Sequence, residues 1–284
     1  MAEIGTEQEG GVSTETPLSP RREARAARNT RIEVTDGALI PGRGEKATFS
    51  SWRISFFGAL AVLAYLFIFR PHPYREIMLF LPDGILRTFE VTLMSIVCAL
   101  VVGLIAGLGR ISRVVILNRI ATIYVEIIRG IPLLVQIFYI YYALGKIIQV
   151  PDIIAAVIAM TVCYGAYLGE IFRAGIQSIA KGQMEAAIAL GLTRGQALRR
   201  IILPQTIRVV LPPLGNEFIA LLKDSSLVSI LAVSDLLRRG REYASKTFDY
   251  FEAFTVVALV YLVMTLFFSR LVALMEKRMD RRGR

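Results

Sequence analysis

Cysteine, histidine and tryptophan are scarce in this chain: two, one and one among 284 residues. Cys98 and Cys163 lie far apart in apolar segments without CxxC spacing, and His72 stands alone. Neither a disulfide framework nor a metal site is expected from such a set, and both thiols read as small buried hydrophobes. A phosphate loop is missing too. Gly37, Gly42, Arg43 and Gly44 share its glycine spacing but lack the lysine and Ser/Thr that contact phosphate and metal, with no flanking strand and helix. ATP hydrolysis is therefore not expected of this chain. No stretch between apolar blocks on the outer side exceeds about 17 residues, too short for a catalytic or receptor domain. The net charge of +10 raises nucleic acid as a partner, but the basic residues flank apolar stretches without interleaved aromatics. Membrane topology explains them, and nucleic-acid binding is not expected.

What the sequence has is apolar length. Hydrophobic residues make up 55% and charged residues 20%. About 20 apolar residues cross a bilayer as a helix, and six spans can be drawn, near 53–69, 87–109, 123–145, 152–172, 209–233 and 252–274. The expected fold class is all-α, a polytopic membrane helix bundle. The first span has a short apolar core, Ile54 to Phe69, between Arg53 and Arg70, with Trp52 and the arginines as snorkelling anchors. Arg70-Pro71-His72-Pro73 follows it in place of a small-residue cleavage pattern, so it reads as uncleaved. Residues 1–48 hold too few apolar side chains to fold and are expected to be a disordered tail. Residues 74–86 mix apolar side chains with Arg75, Glu76 and Asp83 and are expected along the outer interface. With six spans both termini share one side, whose loops carry 21 Lys and Arg against 7 on the other. The positive-inside rule puts both termini, the basic 276–284 tail and the 173–208 loop in the cytoplasm.

That loop is more ordered than solubility requires. Met184 to Leu190 is good helix-forming sequence, Gly191 suits a left-handed C-cap, Thr193 with Gln196 makes a capping box, and Pro204 closes the hairpin. The register of Glu185, Ala186, Ala187, Gly191, Ile201, Leu203 and Pro204 resembles the cytoplasmic EAA loop of permease subunits of bacterial ABC importers, the loop that docks into a separate ATPase. The resemblance covers about residues 84–275. Arg129-Gly130-Ile131-Pro132-Leu133-Leu134-Val135-Gln136, Tyr167 with Glu170, Arg173 and Gly175, Lys181-Gly182-Gln183, Leu211-Pro212-Pro213 to Asn216, and Leu222-Lys223-Asp224-Ser225-Ser226-Leu227 look like the polar amino acid branch. It departs from that pattern at Ala180, where a proline is usual.

The resemblance implies a five-helix core over 84–275 in the bacterial inner membrane, to which residues 49–83 add an N-terminal span and an interfacial segment. It implies ABC ATPase subunits that bind ATP and Mg, a second permease copy or a related permease, and a soluble substrate-binding protein. The substrates implied are polar amino acids such as histidine, arginine, lysine, glutamine, glutamate and opines. Glu185, Ala186, Ala187, Gly191, Leu203 and Pro204 would contact the ATPase.

Charges within spans are costly and need partners or a watery path. Glu126 and Arg129 are three apart and can pair, as can Glu170 and Arg173. Glu217 and Asp224 lie seven apart on one face, beside a stripe of Asn216 and Lys223. An amino acid brings an ammonium and a carboxylate, so Glu217, Lys223, Asp224, Ser225 and Ser226 are candidates for the substrate path. Pro212, Pro213 and Gly215 are expected to break the helix there and free backbone groups. A structural ion pair is the competing role for these charges. A secondary transporter or a membrane receptor is the alternative function, although no span is an evident repeat of another.

Overall fold

The computed structural model describes residues 51–147 and 150–281, so the expected tail over 1–48 lies outside the described residues. Among the described residues the chain is helical throughout, without strands. Helix α1 spans Ser51–Phe69, α2 Pro71–Phe80, α3 Pro82–Arg110, α4 Val115–Gly130, α5 Leu133–Ile147, α6 Asp152–Gln177, α7 Lys181–Ala189, α8 Arg194–Ala197, α9 Leu203–Asp224, α10 Leu236–Thr247 and α11 Tyr250–Arg281.

The centre is the pairing of α3 with α6, set by glycine. A Cβ at Gly103 would lie 2.6 Å from the Leu168 Cβ, and one at Gly107 would lie 2.8 Å from the Gly169 carbonyl oxygen. Gly165 and Gly169 repeat the i, i+4 spacing on α6, so the two backbones approach as small-residue stripes allow in lipid. Around this seam Val91, Ala99, Met160, Leu168, Leu221 and Val228 are buried. A second core joins Ile77 and Leu81 to Leu222, Leu236 and Val256. Cys163 is buried as expected, but Cys98 is exposed. It sits on the outward stripe of α3 with Val97 and Val101, an apolar face that needs lipid or a partner rather than a core.

Among the described residues four helical runs are long and apolar enough to cross a membrane, and a fifth if α4 and α5 form one bent span. The expected count of six is not confirmed by length and composition. The stretch drawn over 209–233 is the end of α9, with Glu217, Lys223 and Asp224, followed by a 3-10 segment, Ser225–Leu231. The span drawn over 123–145 is broken: α4 and α5 meet at 110°. Pro132 has no N–H to continue the ladder and pushes Ile131 into an extended conformation, φ −107° and ψ 134°. The reverse holds at Pro212 and Pro213, where α9 stays unbroken. The carbonyls those prolines leave without donors belong to Arg208 and Val209, both exposed residues.

Residues 71–110 form one near-continuous helical run of 40 residues. It is non-helical at His72 and longer than the roughly 20 residues that cross a bilayer, so its first turns are not needed for the crossing. They pack on α10: Tyr243 donates to Glu76 at 3.2 Å, and Arg239 pairs with Asp83 at 2.9 Å. The added helix α1 lies against α11. Trp52 does not snorkel; its indole N–H donates to the Leu266 carbonyl at 2.9 Å, and the Arg270 guanidinium stands 5.2 Å from its ring centre.

Candidate functional site

The loop after α6 is a built hairpin. Its first arm, α7, ends at Gly191, whose φ of +83° is the left-handed conformation expected of its C-cap. The Leu192 N–H donates to the Ala187 carbonyl at 3.1 Å to close that end. Thr193 then opens α8 with the full capping box: its hydroxyl accepts from the Gln196 N–H at 3.3 Å, and its own N–H donates to the Gln196 side chain at 3.0 Å. Pro204 does not close the hairpin. A π-helical turn, Leu198–Ile202, carries α8 straight into α9, and Pro204 sits in the first turn of α9. The second arm of the hairpin and the helix that carries Glu217 and Asp224 are therefore one continuous helical run.

The six candidate docking residues divide by exposure. Glu185, Ala186, Gly191, Leu203 and Pro204 are exposed, whereas Ala187 is 1% exposed. Ala187 and Ala197 are thus the small residues that let the two arms close on each other, and Ala186 is the one presented outward. Leu190 is 82% exposed, and Ile188, Leu198 and Leu203 are exposed as well. Lys181, Arg194, Arg199 and Arg200 on the hairpin are exposed too, and Thr193, Gly195, Gln196, Arg199 and Arg200 line a groove.

Where α3 and α6 end, Glu170 takes hydrogen bonds from Arg110 and from Arg173, the latter at 3.0 Å from Nε, and Arg173 reaches on to Gln177. The Glu170–Arg173 pairing follows the sequence expectation. Arg110 was not legible as a partner because it lies 60 residues away. The Glu126–Arg129 pair does not form among the described residues. Arg129 lies 5.3 Å from the Tyr167 ring centre instead, which a helix kinked just beyond it favours.

The candidate path residues gather at the end of α9. The Tyr164 hydroxyl of α6 donates to Asp224 at 2.8 Å, and both Glu217 and Asp224 are near enough to act electrostatically on Cys163 and Tyr164. Asp224, Glu217 and Ser226 are half-buried, and Lys223 is exposed. Ser225 is wholly buried and donates to the Leu222 carbonyl at 2.8 Å, so it caps the helix end. Tyr164 is the residue that sequence reasoning missed. An aromatic in an apolar run gives no sign of the carboxylate that folding brings to it.

Residues 99–281 match the profile of the family described as the binding-protein-dependent transport system inner membrane component. The chain belongs to that family. It is 39% identical over 198 residues to the probable amino-acid permease protein YxeN of Bacillus subtilis, covering 68% of this chain and 88% of that protein. It is 38% identical over 200 residues to the glutamine transport system permease protein GlnP of Escherichia coli K12, covering 69% of this chain and 91% of the relative. The crystal structure of an amino acid ABC transporter with histidines superposes with a TM-score of 0.68 at 40% identity, covering 72% of this chain and 95% of the other. Membership of a binding-protein-dependent transport system displaces the secondary-transporter and receptor alternatives. In this inner membrane component the matched region holds the hairpin, the Glu170 network and the Asp224 cluster, and leaves α1 outside.

Proposed function

We propose that this chain is the permease subunit of an ATP-driven importer of polar amino acids, multi-pass in the bacterial inner membrane with both termini cytoplasmic. The observation that carries the reading is the exposed hairpin, fixed by Gly191 and the Thr193–Gln196 box and continuous with the helix that ends at Asp224. A separate ABC ATPase, which binds ATP and Mg, docks on Glu185, Ala186, Gly191, Leu203 and Pro204, and closure of its dimer moves the hairpin as a rigid body. A second copy or a related permease completes the pore, and a soluble binding protein delivers the substrate. The amino acid reading is supported by relatives named for glutamine and L-cystine transport. Glu217 and Asp224 offer charge to an ammonium, and Lys223 to a carboxylate. The domain organisation proposed is a tail over 1–48, the added span and segment over 49–83, the transport core over 84–275 and a basic tail over 276–284.

The test is to purify the chain with an affinity tag, identify the ATPase that accompanies it, reconstitute the complex in vesicles and measure uptake of labelled amino acids. Uptake that needs ATP and the binding protein and prefers polar amino acids is the expected outcome. ATP-independent uptake, or no companion ATPase, would overturn the proposal.

A further inference from the structure

The break between α4 and α5 leaves a defined gap in the backbone ladder. In an unbroken helix the N–H of residue 132 would donate to the Ile128 carbonyl, but residue 132 is proline. The side-chain amide of Gln136 stands in for it. The Gln136 Nε2 donates to the Ile128 carbonyl at 2.6 Å and to the Ile131 carbonyl at 2.7 Å, one on each side of Gly130. The residue is 4% exposed, so water does not compete for these acceptors. Two carbonyls freed by a bend are thus satisfied from the first turn of the following helix, as irregular backbone at membrane depth demands. A leucine there would fill similar volume and leave both acceptors bare.

The far end of α5 is held as well, since Tyr141 donates to Asp152 at the start of α6 at 2.8 Å. Between these two points α5 packs on α6 and the 3-10 segment, with Ile137 wholly buried in the central core. The angle at the break therefore decides where α5 lies beside α6, the helix that carries Tyr164.

We propose that Gln136 is a positioning residue of the transport cycle: by replacing the donor missing at Pro132 it fixes the angle between α4 and α5, and so the placement of α5 beside the path. The inference rests on reading α4 and α5 as one broken span of an importer permease. It does not depend on which amino acid is carried.

The experiment uses the full chain, with the exposed Cys98 replaced by serine, reconstituted with its ATPase and binding protein, with spin labels at Ile127→Cys and Tyr139→Cys, positions 54% and 75% exposed on the two half-spans. Gln136→Leu is expected to broaden the label-to-label distance distribution. It should also lower the maximal transport rate roughly tenfold, the scale expected for two lost hydrogen bonds, with the half-saturating substrate concentration near the parent's. The distance measurement needs no substrate, so an error in substrate class leaves that arm intact. A parental distribution overturns the proposal, whether or not transport falls, and so does a broadened distribution with parental transport. Should Gln136→Leu fail to assemble, adding Pro132→Ala restores the backbone donor to the Ile128 carbonyl and is expected to recover assembly with a straighter pair of half-spans. Failure of that second substitution to recover assembly would make Gln136 a packing residue only and end the proposal.

Discussion

Asp224 accepts a hydrogen bond from Tyr164, a residue of a different helix, so one carboxylate has both a structural and a transport role open to it. The two are separable by substitution. Asp224→Asn keeps the shape and loses the charge. If the carboxylate meets a substrate ammonium, transport per assembled complex should fall by the equivalent of about 1.5–3 kcal/mol, the worth of a charge-assisted hydrogen bond. Tyr164→Phe should then leave transport closer to the parent's. Poor assembly with normal transport per complex would mark a structural pair instead. Asp235 makes a different prediction. It caps α10 through the N–H groups of Leu237 and Arg238 at 3.2 and 3.0 Å, yet it is wholly buried. Desolvation outweighs those bonds and raises its carboxyl from 3.8 to about 6. A raised acid binds its proton more tightly in the folded chain than in the unfolded one. Its contribution to stability therefore falls as pH rises from about 4 to 6, by about 3 kcal/mol in all, and that cost persists above pH 6. Thermal unfolding of the parent and of Asp235→Asn across that window should show the parent losing ground with rising pH relative to the variant. Parallel profiles would refute it.

At the scale of the element, the hairpin and the broken span show how the same residue type acts by position. Gly191 is needed for its φ of +83°, which a β-branched residue adopts at a cost of about 1–2 kcal/mol. Gly103 and Gly107 are needed for backbone approach, not for conformation. Pro132 breaks a helix, while Pro204 sits harmlessly in a first turn and Pro212 and Pro213 pass without a break. The helix that carries Glu185 packs on α8 and the π turn, which with α9 form one helical run from Arg194 to Asp224. Glu185→Lys or Gly191→Val should leave membrane insertion intact. Either should reduce ATPase co-purification or substrate-stimulated ATP hydrolysis several-fold, about 1 kcal/mol or more of docking energy. Parental coupling in both variants would remove the hairpin from the mechanism.

For the whole molecule, orientation is the open quantity with a direct test. The bias of 21 to 7 Lys and Arg between the two sets of loops predicts that a reporter after Arg284 and a label at Gly44 are both on the cytoplasmic side. External access at Gly44 with Arg284 internal would mean that α1 does not span. Glu76 and Asp83, assigned to one side, meet Tyr243 and Arg239, assigned to the same side, and the Glu170 network lies at the end from which the hairpin leaves.

The sequence by itself determined what depends on neighbours in the chain. The helical class, the αL glycine at 191, the capping box of Thr193 and Gln196, and the Glu170–Arg173 pair all follow from spacings of a few residues, and they are where they were expected. The family register over the hairpin was legible for the same reason. The tertiary structure decided what depends on distance. A proline's position in the chain does not say whether its helix breaks: at Pro132 Ile131 turns extended and Gln136 takes up the abandoned Ile128 carbonyl, while at Pro212 and Pro213 the helix runs on, and the run of apolar residues hid the difference. Whether an intramembrane charge finds a partner turns on which helices pack. Arg110 came to Glu170 and Tyr164 to Asp224 because glycine stripes let α3 and α6 close upon each other and α9 packs against α6. Hydropathy counts residues along one chain segment, and these outcomes are settled between segments.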